Sequence, residues 1–144
     1  MPEVARTVIV SHTPAEMFEL IDGVEAYPEF LPWCGGAAVL HRDAATTRAT
    51  LQINFHGIRQ SFTTDNAKQA PHEITMRLVD GPFRALDGAW RLSPLGSAGC
   101  KIEFQLRYEF ASRLLEKLIG PAFAHIAGTL VEAFVRRADQ KFRD

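Results

Sequence analysis

The side chains of this sequence that could carry out acid–base or metal chemistry are scattered along the chain. The five histidines lie far apart, and none stands beside another metal-ligating residue at the spacing of a known metal site. A lone histidine such as His125, within a helical stretch that carries no charge, is more often packed against its neighbours than used as a catalytic base. We therefore predict no metal site. The histidines are His12, His41, His56, His72 and His125.

The carboxylates offer no clearer case for catalysis. Asp80 begins an Asp-Gly-Pro-Phe segment that is most simply a turn, and Asp87 falls in a predicted strand. The sequence also lacks the nucleophile elbow, the phosphate-binding loop and the glycine motif of dinucleotide-binding proteins. We therefore predict a protein without catalytic residues. An enzyme that works in a cavity with a few polar groups, and leaves no motif, stays open as an alternative.

Composition and charge narrow the class of protein further. The chain of 144 residues is 47% hydrophobic and has a formal net charge of −1 from 16 basic and 17 acidic side chains. These values predict one globular domain over residues 1–144 and argue against a general affinity for nucleic acid, so DNA is not an expected partner. Cys34 and Cys100 lie far apart, as in a protein with reduced thiols. Because the first residues read as a strand rather than a signal or transit peptide, we expect a cytoplasmic protein.

The strongest signal of secondary structure lies in the last third of the chain. Residues 101–110 alternate between polar and apolar side chains, which predicts a half-buried strand. Residues 112–143 follow helical spacing, with Ser112 as the expected cap. Upstream, a first strand precedes two short helices and a series of strands joined by short turns, with residues 66–72 predicted as a loop. The order predicts an α+β fold, in which a curved antiparallel sheet of seven strands wraps around a long C-terminal helix.

The predicted long helix has one strongly apolar face. Its apolar residues recur every three or four positions, as in a stripe that packs on a sheet. Residues 118–131 carry no charge if His125 is neutral, but about fourteen helical residues cover roughly 21 Å, less than the ~30 Å core of a membrane. We therefore predict a buried or interfacial helix, with small side chains such as Ala127 on the opposite face. The predicted stripe comprises Leu114, Leu115, Leu118, Ile119, Phe123, Ile126, Leu130, Phe134 and Phe142.

Aromatic side chains are the remaining distinctive feature, with ten phenylalanines and two tryptophans. Most of them fall on predicted inner faces or near one end of the long helix. A curved sheet that grips one helix encloses more volume than side chains fill, and an apolar pocket with few polar groups suits a hydrophobic ligand. Any one of these residues alone is explained as core. Together with two helix positions, the candidates for ligand binding are Phe30, Trp33, Phe55, Phe62, Phe83, Trp90, Phe104, Phe123, Ile126, Leu130 and Phe134.

Five segments spread over nearly the whole chain form a recognisable signature. They are YPEFLPWC at 27–34, FTT at 62–64, LVDGPF at 78–83, LDGAW at 86–90 and AFVRRA at 133–138. In composition and order they resemble the coenzyme Q-binding, START-like proteins, a group within the polyketide cyclase/dehydrase superfamily that includes ribosome association toxins. The resemblance implies a START/Bet v 1-like helix-grip fold with a hydrophobic tunnel for ubiquinone or a related polyprenyl lipid, and no obligatory cofactor. It also implies a carrier or chaperone role in respiratory electron transport or quinone biosynthesis.

Other functions fit the same resemblance. A toxin-like member would bind the large ribosomal subunit and block subunit joining, and the basic residues Arg136, Arg137, Lys141 and Arg143 could contact RNA. Acidic neighbours dilute this cluster, and a solvated helix end explains it as well. An aromatase/cyclase-type enzyme is a third alternative, weakened by the lack of an evident acid–base pair. For a lipid carrier, we also expect transient contact with the periphery of the inner membrane.

Overall fold

A computed structural model describes residues 2–142 of the chain. A first strand leads into two short helices, six further strands and one long helix, so the predicted α+β order is confirmed. A 3₁₀ turn at Val24–Ala26 joins the two short helices. The predicted end of the long helix at Arg143 lies outside the described residues. The elements are β1 Glu3–Val10, α1 Pro14–Asp22, α2 Tyr27–Phe30, β2 Cys34–Arg42, β3 Thr46–Phe55, β4 Ile58–Gln69, β5 Glu73–Asp80, β6 Phe83–Leu95, β7 Gly99–Phe110 and α3 Arg113–Lys141.

The seven strands form one antiparallel sheet in the order β1-β7-β6-β5-β4-β3-β2. Consecutive strands from β2 to β7 are neighbours, because the turns between them are too short for a crossover. The first strand instead pairs with the last, with Val10 opposite Cys100. The predicted curved sheet of seven antiparallel strands is therefore confirmed in the number and direction of its strands.

The prediction of a loop at residues 66–72 is wrong in its first part, because β4 continues to Gln69. Asn66 pairs with Thr47 on β3 and with Met76 on β5. Asparagine and lysine have low intrinsic preference for strands, but pairing on both sides outweighs that preference. The extension places the side chain of Asn66 on the inner face of the sheet.

The hairpin between β3 and β4 reverses the chain within two residues. Phe55 and Ile58 face each other across the strands, and His56 and Gly57 between them have positive φ values of 50° and 81°. Positive φ at both positions matches the twist of the flanking strands, as in a type I′ turn. Glycine adopts this conformation freely, whereas His56 is a less common occupant. The tight turn holds Phe55 and Ile58 beside α3.

The outer face of the sheet carries a row of charges of alternating sign. Arg48, Asp65, Arg77, Asp87 and Arg107 lie opposite one another on consecutive strands. Arg48 donates two hydrogen bonds of 2.7 and 2.8 Å to Asp65, and Arg107 lies 3.2 Å from Asp87. Opposite charges in facing positions stabilise strand pairing by roughly 0.2–1 kcal/mol each. The structure therefore confirms Asp87 as a polar strand residue.

Helix α3 lies across the inner face of the sheet. Its cap is Ser112, as predicted, whose Oγ accepts a hydrogen bond of 3.2 Å from the backbone of Leu115. The backbone of α3 comes closest to β7, β1 and α1. The helix is therefore held along one side of the sheet. Its buried residues are Ile119, Phe123, Ile126, Ala127, Val131, Ala133, Phe134 and Ala138.

The predicted apolar stripe of α3 is wrong at its N-terminal end. Leu114 and Leu118 are 66% and 60% exposed, whereas Ile119 is buried. Two neighbouring rows satisfy the three-four spacing in this part of the helix, and only the position of the sheet decides which row faces inward. Ala127, predicted on the opposite face, is also buried. The helix is thus rotated relative to the predicted orientation at these positions.

Candidate functional site

A small internal cavity lies between α3 and the middle of the sheet. Its volume is about 80 Å³, and its lining is mostly apolar. Helix α3 forms one wall, strands β3 to β7 form the opposite wall, and the segment between α1 and β2 contributes to one end. The structure brings together eight of the eleven predicted ligand-binding residues in this lining, namely Trp33, Phe62, Trp90, Phe104, Phe123, Ile126, Leu130 and Phe134.

Three predicted residues lie outside the cavity lining. Phe30 on α2 packs edge-on against Phe134, with ring centroids 5.2 Å apart. Phe83 contacts the ring of Phe123 from behind the cavity wall, at 5.0 Å. Phe55 lies at the hairpin tip and stacks on His125 of α3 at the surface. The inner face of the sheet extends beyond the cavity at both ends. A residue that faces inward therefore does not necessarily line the cavity.

Sequence reasoning missed ten lining residues. Strand alternation could have found six of them, which lie at inward-facing positions of the predicted strands, namely Ala49, Leu51, Thr64, Met76, Leu86 and Leu106. The others depend on the segment between α1 and β2, on the extension of β4 or on the rotation of α3. The missed residues are Val24, Tyr27, Ala49, Leu51, Thr64, Asn66, Met76, Leu86, Leu106 and Ala127.

Two polar side chains on β4 interrupt the apolar lining. The hydroxyl of Thr64 donates a hydrogen bond of 2.8 Å to the Oδ1 atom of Asn66. Within residues 2–142, no partner is found for the Nδ2 donors of Asn66. The hydroxyl of Tyr27 is not available as a donor to a ligand, because it donates to the backbone carbonyl of Ile21. Burial raises the pKa of Tyr27 far above its usual value, so this side chain is neutral.

A buried ion pair lies beyond the polar end of the cavity. Asp22 at the end of α1 accepts hydrogen bonds of 3.1 Å from Lys68 and of 3.1 Å from Thr47. Both donors are almost completely buried, and the mutual hydrogen bonds satisfy charges that would be costly to bury alone. Lys68 follows Thr64 and Asn66 on the same face of β4. Polarity therefore increases along this strand towards α1.

The opposite end of the cavity is aromatic. Phe62 and Phe123 line it with ring centroids 6.3 Å apart, and Phe83 contacts both rings at 5.9 and 5.0 Å. Tyr108 contacts Phe123 at 4.7 Å. Such edge-on pairs add about 0.5–1.5 kcal/mol each beyond the burial of their area. The cavity therefore has a polar end near α1 and an aromatic end near the N-terminal part of α3.

The side chains of this site are suited to binding rather than to proton transfer. None of the described lining residues is a histidine, carboxylate, cysteine or lysine. Among residues 2–142, no three His, Cys, Asp or Glu side chains come together in a way that could hold a metal ion. Burial raises the pKa of both free cysteines, Cys34 and Cys100, which disfavours the reactive thiolate. The available interactions are apolar contacts, hydrogen bonds donated by the Nδ2 atom of Asn66 and a hydrogen bond accepted by the hydroxyl oxygen of Thr64.

The basic residues near the end of α3 are partly neutralised. Arg137 donates a hydrogen bond of 2.8 Å to Glu29, and Lys141 lies 3.8 Å from a carboxylate of α1. Arg136 is exposed. The fourth member of the predicted cluster, Arg143, lies outside the described residues. Arg136 is therefore the member of the cluster that this structure presents most openly to a partner.

Known proteins share both the sequence pattern and the fold. Residues 10–135 match the family model described as polyketide cyclase / dehydrase and lipid transport. A Vibrio cholerae serotype O1 relative named ribosome association toxin RatA is 41% identical over 142 residues, which cover 99% of each chain. The mitochondrial coenzyme Q-binding protein COQ10 homolog B of Xenopus laevis is 27% identical over 141 residues, covering 94% of this chain and 57% of its own. The Zhui aromatase/cyclase from Streptomyces sp. R1128 aligns with a TM-score of 0.86 at 14% identity, over 99% of this chain and 96% of that one, which confirms the START/Bet v 1-like fold.

Proposed function

This chain belongs to the polyketide cyclase / dehydrase and lipid transport family, and on that premise we propose that it binds ubiquinone or a related polyprenyl lipid between α3 and the sheet. The observation that carries the proposal is an apolar cavity with one pair of polar side chains at its end. A polyprenyl quinone has the same division, since its tail is apolar and its ring carbonyls accept hydrogen bonds. The protein then serves as a carrier or chaperone of that lipid in respiratory electron transport or quinone biosynthesis.

The cavity has to enlarge to accept such a ligand. Pockets for small molecules usually have volumes of about 300–1,000 Å³, whereas this cavity measures about 80 Å³. The backbone of α3 lies closest to β7, β1 and α1, whereas it meets the β3–β4 side through side chains, such as Phe62 against Phe123, so we place the separation on that side. Burial of the tail, at about 25 cal/mol per Å² of apolar area, supplies free energy for the movement. Ligand entry in this proposal therefore separates α3 from the β3–β4 side of the sheet.

The polarity of the cavity sets the orientation of the proposed ligand. The quinone ring lies at the polar end, where the Nδ2 atom of Asn66 donates to a ring carbonyl. The first prenyl units lie against Leu130 and Phe123. The rest of the tail lies at the aromatic end, next to Phe62. This end is on the side where α3 separates from the sheet.

Extraction of the purified protein tests the proposal directly. The protein is produced in a quinone-synthesising bacterium, extracted with organic solvent and analysed by mass spectrometry, and an isoprenoid quinone is expected to co-purify. Leu130→Arg should abolish co-purification, because an arginine in the lining would have to lose its hydration. The matched control is Thr129→Arg, which changes the adjacent exposed position of the same helix and should retain the lipid.

Titration with ubiquinone, followed by the fluorescence of Trp33 and Trp90, tests the role of the polar end. Asn66→Leu keeps the size of the side chain and should weaken binding about fivefold to tenfold, the usual effect of one lost hydrogen bond. Asn54→Leu, at an exposed position on β3, is the control. If the folded wild-type protein neither co-purifies with an isoprenoid lipid nor responds to added quinone, the proposal is wrong.

Binding of the large ribosomal subunit is a second candidate function. It is favoured by the relative named ribosome association toxin, whose 41% identity over 99% of both chains exceeds the 27% of the coenzyme Q-binding relative. The exposed Arg136 and its neighbour Arg137 are the candidate contacts. Overexpression should then raise the ratio of free subunits to joined ribosomes in sucrose gradients. Arg136→Glu should reduce that effect, and an unchanged ratio in the wild type counts against this function.

A further inference from the structure

The N-terminal half of α3, residues 113–127, presents an apolar row to the outside. Leu114, Leu118 and Pro121 follow one another at spacings of four and three residues, so they lie on one side of the helix. The β3–β4 hairpin extends the row, because Phe55 and Ile58 form a surface groove with Leu118 and Pro121. We refer to these five residues as the apolar ridge. Leucines exposed by 66% and 60% within one continuous surface point to a binding partner.

Cationic side chains border the apolar ridge. Arg113 and Lys117 precede its two leucines on α3, and Arg59 follows its isoleucine on the hairpin; all three are exposed. In the part of the chain that the structure describes, none of them has a carboxylate within 4.0 Å. By contrast, Arg48 and Arg107 on the sheet are paired with aspartates. The charges around the ridge are therefore available to an external anion.

We propose that the apolar ridge and its cations dock the protein on an anionic lipid bilayer. The leucines enter the boundary between headgroups and acyl chains, and the cations contact the lipid phosphates. An 18-residue window of α3 is as apolar as a membrane-spanning segment; its inner residues, such as Phe123 and Ile126, are buried against the sheet, and the apolar ridge is the part that remains outside. A protein partner could also cover apolar side chains, but free cations spaced around a ridge fit a uniformly anionic surface better.

The position of the ridge connects docking to the cavity. Phe123 and Ile126 line the cavity from the inner side of the same helical turns that carry Pro121 and His125 outside. The ridge also crosses the gap between α3 and the β3–β4 hairpin, where ligand entry is proposed. Docking would therefore turn this gap towards the bilayer, so that a lipid reaches the cavity without crossing water. Delivery of a lipid to the cavity rests on the proposed function. Docking itself does not, because it can be measured without quinone.

Sedimentation with lipid vesicles tests the inference. The wild-type protein should sediment with vesicles of phosphatidylcholine and phosphatidylglycerol, less with phosphatidylcholine alone, and less as salt is added. The double change Leu114→Ser and Leu118→Ser should reduce the partition coefficient at least about tenfold, because it removes the inserting apolar groups. The double change Arg113→Glu and Lys117→Glu should reduce it about fivefold or more per cation.

Matched variants separate docking from unspecific effects. Ile9→Ser with Leu40→Ser removes two equally exposed apolar side chains, 72% and 60% exposed, from strands β1 and β2. This variant and Arg91→Glu, at an exposed position on β6, should sediment like the wild type, and melting curves should show that all variants are folded. The inference is overturned if the leucine variant sediments like the wild type. It is also overturned if the wild type is a dimer that those leucine changes dissociate, since a second copy would then cover the ridge.

Discussion

The two halves of α3 differ in how they are held. In the C-terminal half, Arg6 on β1 lies 3.0 Å from Glu132, and the ring of His12 lies 2.7 Å from Asp139. Two further ion pairs join this half to α2 and α1. The N-terminal half has no ion pair within the described residues, and it exposes Leu114 and Leu118. The C-terminal half of this continuous helix is therefore held by ion pairs and packing, whereas the N-terminal half is held by packing alone.

Under the proposed function, this difference separates two tasks, which are to hold the cavity wall in place and to open the cavity. The C-terminal half positions the cavity wall through Phe134, which is almost fully buried and contacts Tyr27, Phe30 and Trp90. In the proposed opening of the cavity the other half moves, because it is held by packing without the ion pairs of the C-terminal half. Movement of the N-terminal half can therefore enlarge the cavity while the C-terminal half keeps its place.

The largest expected difference in the free energy of unfolding is between the truncation of one side chain in each half of α3. Phe134→Ala should lower the free energy of unfolding by about 3–5 kcal/mol, since it leaves a cavity among aromatic rings. Leu118→Ala should change it by less than about 0.5 kcal/mol, because this leucine is exposed. Urea denaturation followed by circular dichroism measures both. Equal losses would mean that Leu118 is not exposed in the folded protein.

A smaller effect on the free energy of unfolding is expected when a hydrogen bond of Tyr27, the residue that contacts Phe134 in the C-terminal half, is removed. Tyr27→Phe keeps the ring beside Phe134 but removes the donor to the carbonyl of Ile21. The free energy of unfolding should fall by about 1–2 kcal/mol, because a buried carbonyl loses its partner. The same denaturation assay applies. A neutral substitution would show that water or another donor satisfies this carbonyl.

Two glycines allow the same change to be made in both halves. Gly120→Ala and Gly128→Ala should each stabilise the protein by about 0.5–1 kcal/mol, because alanine favours the helix and the added methyl group meets no atom closer than 3.8 Å at Gly120 and none within 4 Å at Gly128. Only Gly120→Ala should also slow the exchange of bound quinone, measured by stopped-flow fluorescence. Equal slowing by both changes would argue against movement confined to the N-terminal half.

The smallest effect concerns the acid sensitivity of the segment on which the C-terminal half rests. Arg42 donates hydrogen bonds of 2.5 and 2.8 Å to Glu25, and they lower the pKa of Glu25 to about 2. The ion pair therefore stabilises the fold above the ordinary pKa of about 4.5, and this contribution is lost as the pH falls towards 2. Glu25 is half exposed, so the contribution should stay below about 1 kcal/mol. Glu25→Gln should remove that part of the pH dependence in melting experiments, and an unchanged pH profile would contradict the assignment.

Much of the fold could be predicted because local patterns and global packing agree. The alternation at residues 101–110 matches β7, and Thr13 followed by Glu16 predicts the start of α1, where both capping hydrogen bonds are present. Short turns between strands leave few topologies open, and one long helix is the natural cover for the sheet. Each element carried its own signal, and no other element had to be known first.

The composition of the site could be predicted less well, because it depends on how elements meet. Asn66 belongs to a polar stretch with low strand preference, and only pairing on both sides brings its amide into the cavity. Leu118 and Ile119 are equally apolar, and the position of the sheet alone decides which one is buried. Neither fact has a local signature in the sequence, so the polar end of the cavity and the apolar ridge both required the structure.

Pairing of the first strand with the last has a consequence for synthesis. Val10 finds its partner at Cys100, so β1 emerges from the ribosome roughly 90 residues before the strand that completes it, an interval of about 5–20 s at ~5–20 residues per second. During this time its backbone donors and acceptors have no strand beside them, and pairing between distant segments is intrinsically slow. The nascent chain is therefore expected to need shielding of this segment, for example by a chaperone, until β7 has been synthesised.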